Sequence, residues 1–359
     1  MPAEPPPSLT LPHKGGGNSR GARRGILTAG TWCVDLNKSI PAWPAEDTMT
    51  TVIEVDRQGG GAGCNMAIDL KRLDAALPVE TIGLIGDDSE GRFLLDECDR
   101  YGIERSGLKL SREGATPFSD CFNSLESGRR THFWAPGVAA LLSPEYFEFS
   151  DVRARLLHLG LPGAHPTMDQ AWEQDSTGWA TVLRKARAAG LKTNLEMVST
   201  TAAEVARFGR SCLPHLDMLI VNDYEIGCVS GIETREAGVA APAKVAEALQ
   251  NAVRKGPLEF AVAHFPEGAI AATRDGAVLA LGSVAMPTKD IAGVNGAGDA
   301  FAAGVLYGWH EDWPLEEALR LGHACAAASM RQVSTTQGVA PVAECLALAE
   351  RHGLRPKPL

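Results

Sequence analysis

The sequence has no stretch with the spacing of a metal centre. Its eight cysteines (Cys33, Cys64, Cys98, Cys121, Cys212, Cys228, Cys325 and Cys345) are scattered, with no C-x-x-C and no paired Cys/His run. In a chain of this size they read as reduced, mostly buried thiols, and a cytoplasmic protein is expected. No apolar run approaches the roughly 20 residues that cross a bilayer, so no membrane is expected as partner. Basic residues are outnumbered, 34 Lys and Arg against 44 Asp and Glu, for a formal charge of −10. The only basic cluster is the short one from Arg20 to Arg24, so nucleic acid is not expected either. There is no G-x-x-x-x-G-K-[ST] loop, and no dinucleotide fingerprint follows a strand; this removes support for P-loop and NAD chemistry.

What is present is a long, alternating chain. At 359 residues and 45% hydrophobic it can bury a large core. Residues 1–24 are Pro-rich, then Gly-rich and basic, without the apolar core of a signal peptide. They are expected to be a disordered tail, and a start codon assigned too early explains them equally well. From Gly25 onward, strands are expected at 25–30, 79–86, 156–160, 191–198, 217–221 and 258–264, and a hairpin at 269–281. Helices are expected at 92–101, 180–189, 244–254, 300–307 and 316–330. This alternation predicts an α/β fold: a mostly parallel central sheet with helices on both faces. Phe118 to Leu125 and Arg130 to Trp134 read as a hairpin around Glu126-Ser127-Gly128-Arg129, of the kind that serves as a lid or a subunit contact.

Four places carry candidate chemistry. Gly293-Val294-Asn295-Gly296-Ala297-Gly298-Asp299 opens a buried helix; a glycine turn there offers unpaired N–H groups to an anion. Asp299 is then either an ordinary helix-start acid or a general base facing that anion. The run Gln58-Gly59-Gly60-Gly61-Ala62-Gly63-Cys64-Asn65 leads into another helix and reads as a flexible loop or a close-approach site. Asn222 and Glu225, at i and i+3 after a strand, either cap a helix or order the water shell of magnesium. Asp35, after the first strand, is either a turn former or a ligand-edge residue. The small face His323-Ala324-Cys325-Ala326-Ala327-Ala328 reads first as helix packing.

Together these motifs resemble the ribokinase-like (PfkB) family of carbohydrate and nucleoside kinases, over nearly everything from Arg24 to Pro341. Gly60-Gly61-Ala62-Gly63-Cys64-Asn65-Met66-Ala67 is similar to the family's amino-terminal glycine signature. Gly83-Leu84-Ile85-Gly86-Asp87-Asp88 is similar to its strand-end motif, Asn222-Asp223-Tyr224-Glu225 to its N-x-x-E, and Asn295 to Phe301 to its G-A-G-D signature. The resemblance implies a ribokinase-like three-layer fold over 25–345, with a small β lid from about 36–58 and 115–135 and a C-terminal tail over 346–359. It implies ATP and Mg2+, and phosphorylation of a sugar hydroxyl. Asp299 would be the base, and the Gly296, Ala297 and Gly298 backbone the anion hole. Asp35, Gly60, Gly61 and Asn65 would hold the sugar. Asn222 and Glu225 would position magnesium through water, with no direct protein ligand to the metal. The helix around Ala324 to Ala328 would lie near the adenine.

Some positions depart from the family pattern. Gly293-Val294-Asn295 replaces the usual D-T-x, which removes an acidic residue expected beside a monovalent-cation site. Ala263-His264-Phe265-Pro266-Glu267-Gly268 stands where many members have T-x-G-x-x-G. The sugar-binding Glu of ribokinase falls near Gly160, which argues against ribokinase itself. A nucleoside kinase, or a binding protein that has lost catalysis, are the alternatives. Arg129 and Arg130 keep an acidic or phosphorylated sugar open, and the lid leaves a homodimer open.

Overall fold

The computed structural model describes residues 23–332 and 334–359. The central layer begins with β1 (Ile26–Gly30). The chain leaves it for β2 (Cys33–Ile40) and β3 (Glu54–Gly60), then returns through α1 (Ala62–Leu73), β4 (Val79–Gly86), α2 (Ser89–Tyr101) and β5 (Glu104–Ser111). A second excursion forms β6 (Phe118–Ser124) and β7 (Arg130–Ala135). Alternation then resumes with β8 (Leu156–Gly160), α3 (Gly178–Ala188), β9 (Lys192–Leu195), α4 (Ala202–Cys212), β10 (Met218–Asn222) and α5 (Asp223–Ser230). A short ribbon, β11 (Arg235–Glu236) and β12 (Val239–Ala240), precedes α6 (Pro242–Lys255). The chain ends with β13 (Phe260–Phe265), β14 (Gly268–Thr273), β15 (Val278–Gly282), α7 (Ala297–His310), α8 (Leu315–Ser329) and α9 (Val342–His352).

Five strands, in the order β5-β4-β1-β8-β9, pair in parallel. Beside them β10 pairs in parallel with β13, and β14 and β15 add antiparallel strands at the edge. The two sheets meet where the Asp217 N–H donates to the Thr193 carbonyl at 3.1 Å. Strand alternation sends neighbouring side chains to opposite faces. In β1, Ile26 joins a core built with α1, α7 and α8, whereas Leu27 and Ala29 join a separate core built with α3, α4 and α6. Each fully buried Leu or Phe adds about 2 kcal/mol to holding these layers together. The helices on one side pack through small residues: a Cβ on Gly304 would stand 2.8 Å from the Gly322 Cα. The expected three-layer arrangement is therefore present, and Ala324, Cys325, Ala327 and Ala328 of α8 are buried in the core shared with α7.

The two excursions form one four-stranded sheet, β3-β2-β6-β7, outside the central layer. In it β2 runs antiparallel to β3 and parallel to β6, with Asp35 opposite both Gln58 and Ser119. The expected hairpin Phe118 to Trp134 is one half of this sheet.

Several boundaries differ from expectation. The C-terminal tail placed at 346–359 begins inside α9, where Cys345, Leu348 and Ala349 recur at helical spacing and join the core. Leu354 then pairs with Val284. Residues 1–22 of the expected tail lie outside the described residues. Its last two positions are tied down: the Arg23 guanidinium donates to the Val152 and Ala189 carbonyls at 2.7 and 2.8 Å, and the Arg24 N–H to Arg153 at 3.0 Å. α4 and β5 were not anticipated. β5 is an edge strand with Leu108 as its one buried residue, so it lacks an apolar signature.

Candidate active site

The site is built around the start of α7. Gly296 precedes the helix at φ 71°, a left-handed conformation in which a Cβ would also strike the Thr335 carbonyl. No side chain caps this end of the helix. The Ala297 N–H reaches the Val294 carbonyl at a long 3.4 Å, and among the described residues the N–H groups of Gly298 and Asp299 have no protein acceptor, so they remain available to an outside acceptor at the positive end of the helix dipole. Asp299 is in the first turn, two residues past Ala297. Burial, with the nearby Glu196 carboxylate next in weight, raises its pKa to about 7.

Residues far apart in sequence converge on that carboxylate. Asn65, in the first turns of α1 and 234 positions away, donates its Nδ2 proton to Asp299 Oδ2 at 3.0 Å. Its own Oδ1 is buried and unpartnered. Gly61 opens α1 at φ 86°, and its carbonyl accepts the Asn65 N–H at 2.9 Å. Asp35 is buried in β2, where it accepts the Cys33 thiol proton at 3.6 Å. Its carboxylate lies so close over Gly60 that a Cβ there would overlap it. Burial pushes Asp35 up to about 6; the Cys33 hydrogen bond opposes this and the Asp299 charge adds to it. Asp35 is thus within a lid strand rather than at the carboxyl edge of the central sheet.

Of the two readings, Asn222 and Glu225 take up the helix cap. They form a reciprocal capping box at the start of α5, with Asn222 Oδ1 accepting the Glu225 N–H at 2.8 Å and Glu225 Oε2 accepting the Asn222 N–H at 3.0 Å. They also line a cavity of about 120 Å3 with Gly298 and Asp299. Burial raises the Glu225 carboxyl to about 7.

Sequence reasoning missed three residues in this cavity: Glu196, His158 and His264. Glu196 follows β9, and burial raises it to about 8. It pairs with His158 Nε2 at 2.8 Å, while Asn194 Nδ2 donates to His158 Nδ1 at 3.0 Å. Burial holds His158 down near 4, so it is neutral, with its proton on Nε2 as the Asn194 amide is oriented. Alternating polar residues, Asn194 and Glu196, at the end of β9 were the available signal. His264, in β13, lies against the start of α7: a Cβ on Gly298 would be 3.2 Å from its Cε1. No protein hydrogen bond to its ring is found among the described residues, and burial lowers it to about 4.

A larger cavity of about 770 Å3 lies between Ala292 to Asn295 and the lid sheet. The register shows what covers it. Across the sheet, Glu54, Asp56 and Gln58 stand beside Ser39, Asn37 and Asp35, then Asn123, Cys121 and Ser119, then Arg130, His132 and Trp134. His132 bonds to Ser119 Oγ at 3.2 Å and contacts Cys121 Sγ at 3.6 Å, so these side chains share one face. That face is polar almost throughout. The opposite face carries Val55, Phe122 and Phe133, with Trp43 packed on the two phenylalanines.

Comparison with known proteins decides the family. Residues 26–342 match the model of the pfkB family of carbohydrate kinases. The chain belongs to that family. This kinase is 26% identical over 332 residues to an ATP-dependent ribose-1-phosphate kinase of Halopiger xanaduensis, covering 91% of this chain and 98% of that one. It is 25% identical over 337 residues to a 5-dehydro-2-deoxygluconokinase of Shouchella clausii, covering 91% and 96%. It is 24% identical over 299 residues to the ketohexokinase of Mus musculus, covering 83% and 93%. Its fold matches Arabidopsis thaliana ribokinase, solved with ribose and ATP, at a TM-score of 0.74 and 17% identity, covering 91% and 99%. The enzyme is an ATP-dependent carbohydrate kinase. Among the described residues, no helix is long and apolar enough to cross a membrane.

Proposed function

We propose that this kinase transfers the γ-phosphoryl group of ATP to a hydroxyl of a polyhydroxylated sugar, with Asp299 as general base. The observation that carries the reading is the Asn65–Asp299 hydrogen bond at the open start of α7. It supports the reading because the carboxylate then stands beside both the uncapped start of α7 and the glycine run that opens α1. Asp299 accepts the hydroxyl proton as the oxygen attacks phosphorus. The N–H groups of the Gly296-Ala297-Gly298 turn hold the phosphoryl oxygens as charge develops on them. Asp35 and Asn65 orient the sugar. Gly60 lets Asp35 approach, and Gly61 sets the direction of α1.

Magnesium fits the same cavity, since Glu196 and Glu225 bring buried acidic groups to one wall of it. Glu225 and Asn222 would hold the ion through water. Bound there, it would neutralise charge on the nucleotide phosphates. A sugar is favoured over a nucleoside by the lid register. The covering face offers hydroxyl, amide and carboxylate groups and only Trp134 as a broad aromatic surface, whereas a nucleobase needs an apolar slot. The cytoplasm suits the family's use of ATP.

A second copy of this chain covers the outer face of the lid in this reading, because Val55 and Phe133 there are 58% and 53% exposed. Light scattering then gives twice the chain mass, reduced to a single chain by Phe133→Asp. A monomer for both removes the dimer. The activity is tested by ADP release from magnesium-ATP with hexoses, ketoses, pentoses, sugar acids, sugar phosphates and nucleosides, using Asp299→Asn as control. Turnover of nucleosides alone, or turnover that survives in the variant, overturns the reading.

A further inference from the structure

Outside the catalytic cavities, the chain forms a second polar hollow of about 350 Å3. Three guanidinium groups from three elements meet in it: Arg57 from β3, Arg72 from α1 and Arg100 from α2. Glu97 is the one acidic residue in its lining, and Glu90 stands behind Arg57. In a chain of net charge −10, a hollow whose lining carries three cations and one anion is a local reversal of sign. Like charges brought together from separate elements repel unless something of opposite charge lies between them.

The arginines are held in place and keep donors to spare. Arg72 spends Nε and Nη2 on the Val339 and Gln337 carbonyls, at 2.6 and 2.7 Å. Arg57 lies over the Phe93 ring at 4.1 Å and gives only Nη1 to Glu90, at 3.2 Å. Arg100 lies over Tyr101 at 5.3 Å and gives Nη1 to Glu97, at 3.3 Å. Carbonyl contacts thus fix the Arg72 guanidinium, while those of Arg57 and Arg100 rest on a ring and on one carboxylate each. Nη1 of Arg72 and Nη2 of both Arg57 and Arg100 have no protein acceptor among the described residues. A planar, multidentate donor set of this kind matches the oxygens of a phosphate group.

The hollow also has a physical route to the active site. Gln58, beside Arg57 in β3, accepts hydrogen bonds from Ser334 Oγ at 2.6 Å and Thr335 Oγ1 at 3.3 Å. The Thr335 carbonyl is the atom against which Gly296 packs at the start of α7. On the other side of Gln58, Gly60 packs on Asp35. Anything that draws Arg57 and Arg72 together acts on the strand that carries the lid and on the loop that supports the anion-binding turn.

We propose that this hollow is a second, non-catalytic site for a phosphate-bearing anion, and that its occupation biases the lid. Calorimetry with inorganic pyrophosphate tests it, on full-length protein saturated with magnesium and a non-hydrolysable ATP analogue so that the catalytic site is filled. The expected result is one binding event, weakened roughly tenfold or more by Arg57→Gln combined with Arg100→Gln. Both side chains are surface-exposed, and an unchanged melting temperature shows that the variant is folded. Hydrogen exchange on the same samples is expected to slow at 54–60 and 334–339 when pyrophosphate is added. Absence of binding overturns the proposal, as does equal binding by wild type and variant. Because turnover is not the readout, the result stands apart from the assignment of Asp299.

Discussion

Replacing Asp299 by Asn removes one proton acceptor and little else. The carboxylate receives the Asn65 Nδ2 proton at 3.0 Å, and the oxygen of the new amide can receive the same bond. The charge is buried and already disfavoured, since the pKa is raised to about 7. An amide there therefore leaves the protein at least as stable, and more so as pH rises. The sign follows from linkage: a folded-state pKa above the unfolded value of about 4 means that the native state keeps a proton that the unfolded chain gives up. Ionising Asp299 therefore destabilises wild type progressively between about pH 4 and pH 7, and the variant escapes this. Catalysis moves the other way. General-base assistance is worth roughly 10^2 to 10^4 in rate, or about 3–5 kcal/mol of barrier. We expect kcat to fall by at least about a hundredfold, while the sugar KM changes only a few-fold because Asp35 and the lid face still hold the sugar. In wild type, the base works only when ionised. About half is ionised at pH 7 and about a tenth at pH 6, so kcat/KM should drop about tenfold per unit below neutrality. The residual activity of the variant should lack that limb. Initial rates of ADP release from pH 5 to 9, with melting curves of both proteins, are the assay. A folded variant within a few-fold of wild-type kcat, or one retaining the same acid limb, refutes the reasoning.

Two further substitutions probe the two ligands separately. Gly60→Ala drives a methyl group into the Asp35 carboxylate, so the sugar KM should rise roughly ten- to a hundredfold with the ATP KM nearly unchanged; equal effects on both would mean a general loss of packing. His264→Ala removes the ring beside Gly298, so the ATP KM should rise about tenfold and the sugar KM should hold. An unchanged ATP KM would remove His264 from the nucleotide side.

The site was legible to different depths in its parts. Asn65, Asn222, Glu225 and Asp299 could be read because each lies just after a strand or glycine turn, at the start of a helix, where local sequence fixes geometry. Three such starts, those of α1, α5 and α7, bring these residues together. The covering face could not be read, because it depends on β2 lying parallel to β6, a pairing between segments some 80 residues apart that no local pattern specifies. Glu196 and His158 escaped for a related reason. Each is a lone polar residue in or beside an apolar strand, and only the neighbouring strand shows that the two meet. The end of the fold was misplaced at 345 although α9 carries a mostly apolar run from Val342 to Ala349. Cys345, Leu348 and Ala349 suffice once α8 is there to receive them.

The covering sheet leaves and rejoins the central layer at four places: Thr31-Trp32, Gly61, residues 112–117 and Pro136-Gly137. It is therefore not a flap on a single stalk. Swinging it requires backbone rotation at all four crossings together, as a door turns on several pins. Gly61 and Gly137, at φ 86° and 46°, supply two of those pins. A sheet tied at four crossings is held more tightly than a flap tied at one. Asp35 is only a few residues beyond the first crossing and Asn65 just beyond the second. Asn65 already donates to Asp299 at 3.0 Å, so shutting the door moves Asp35 relative to a pair that is already set.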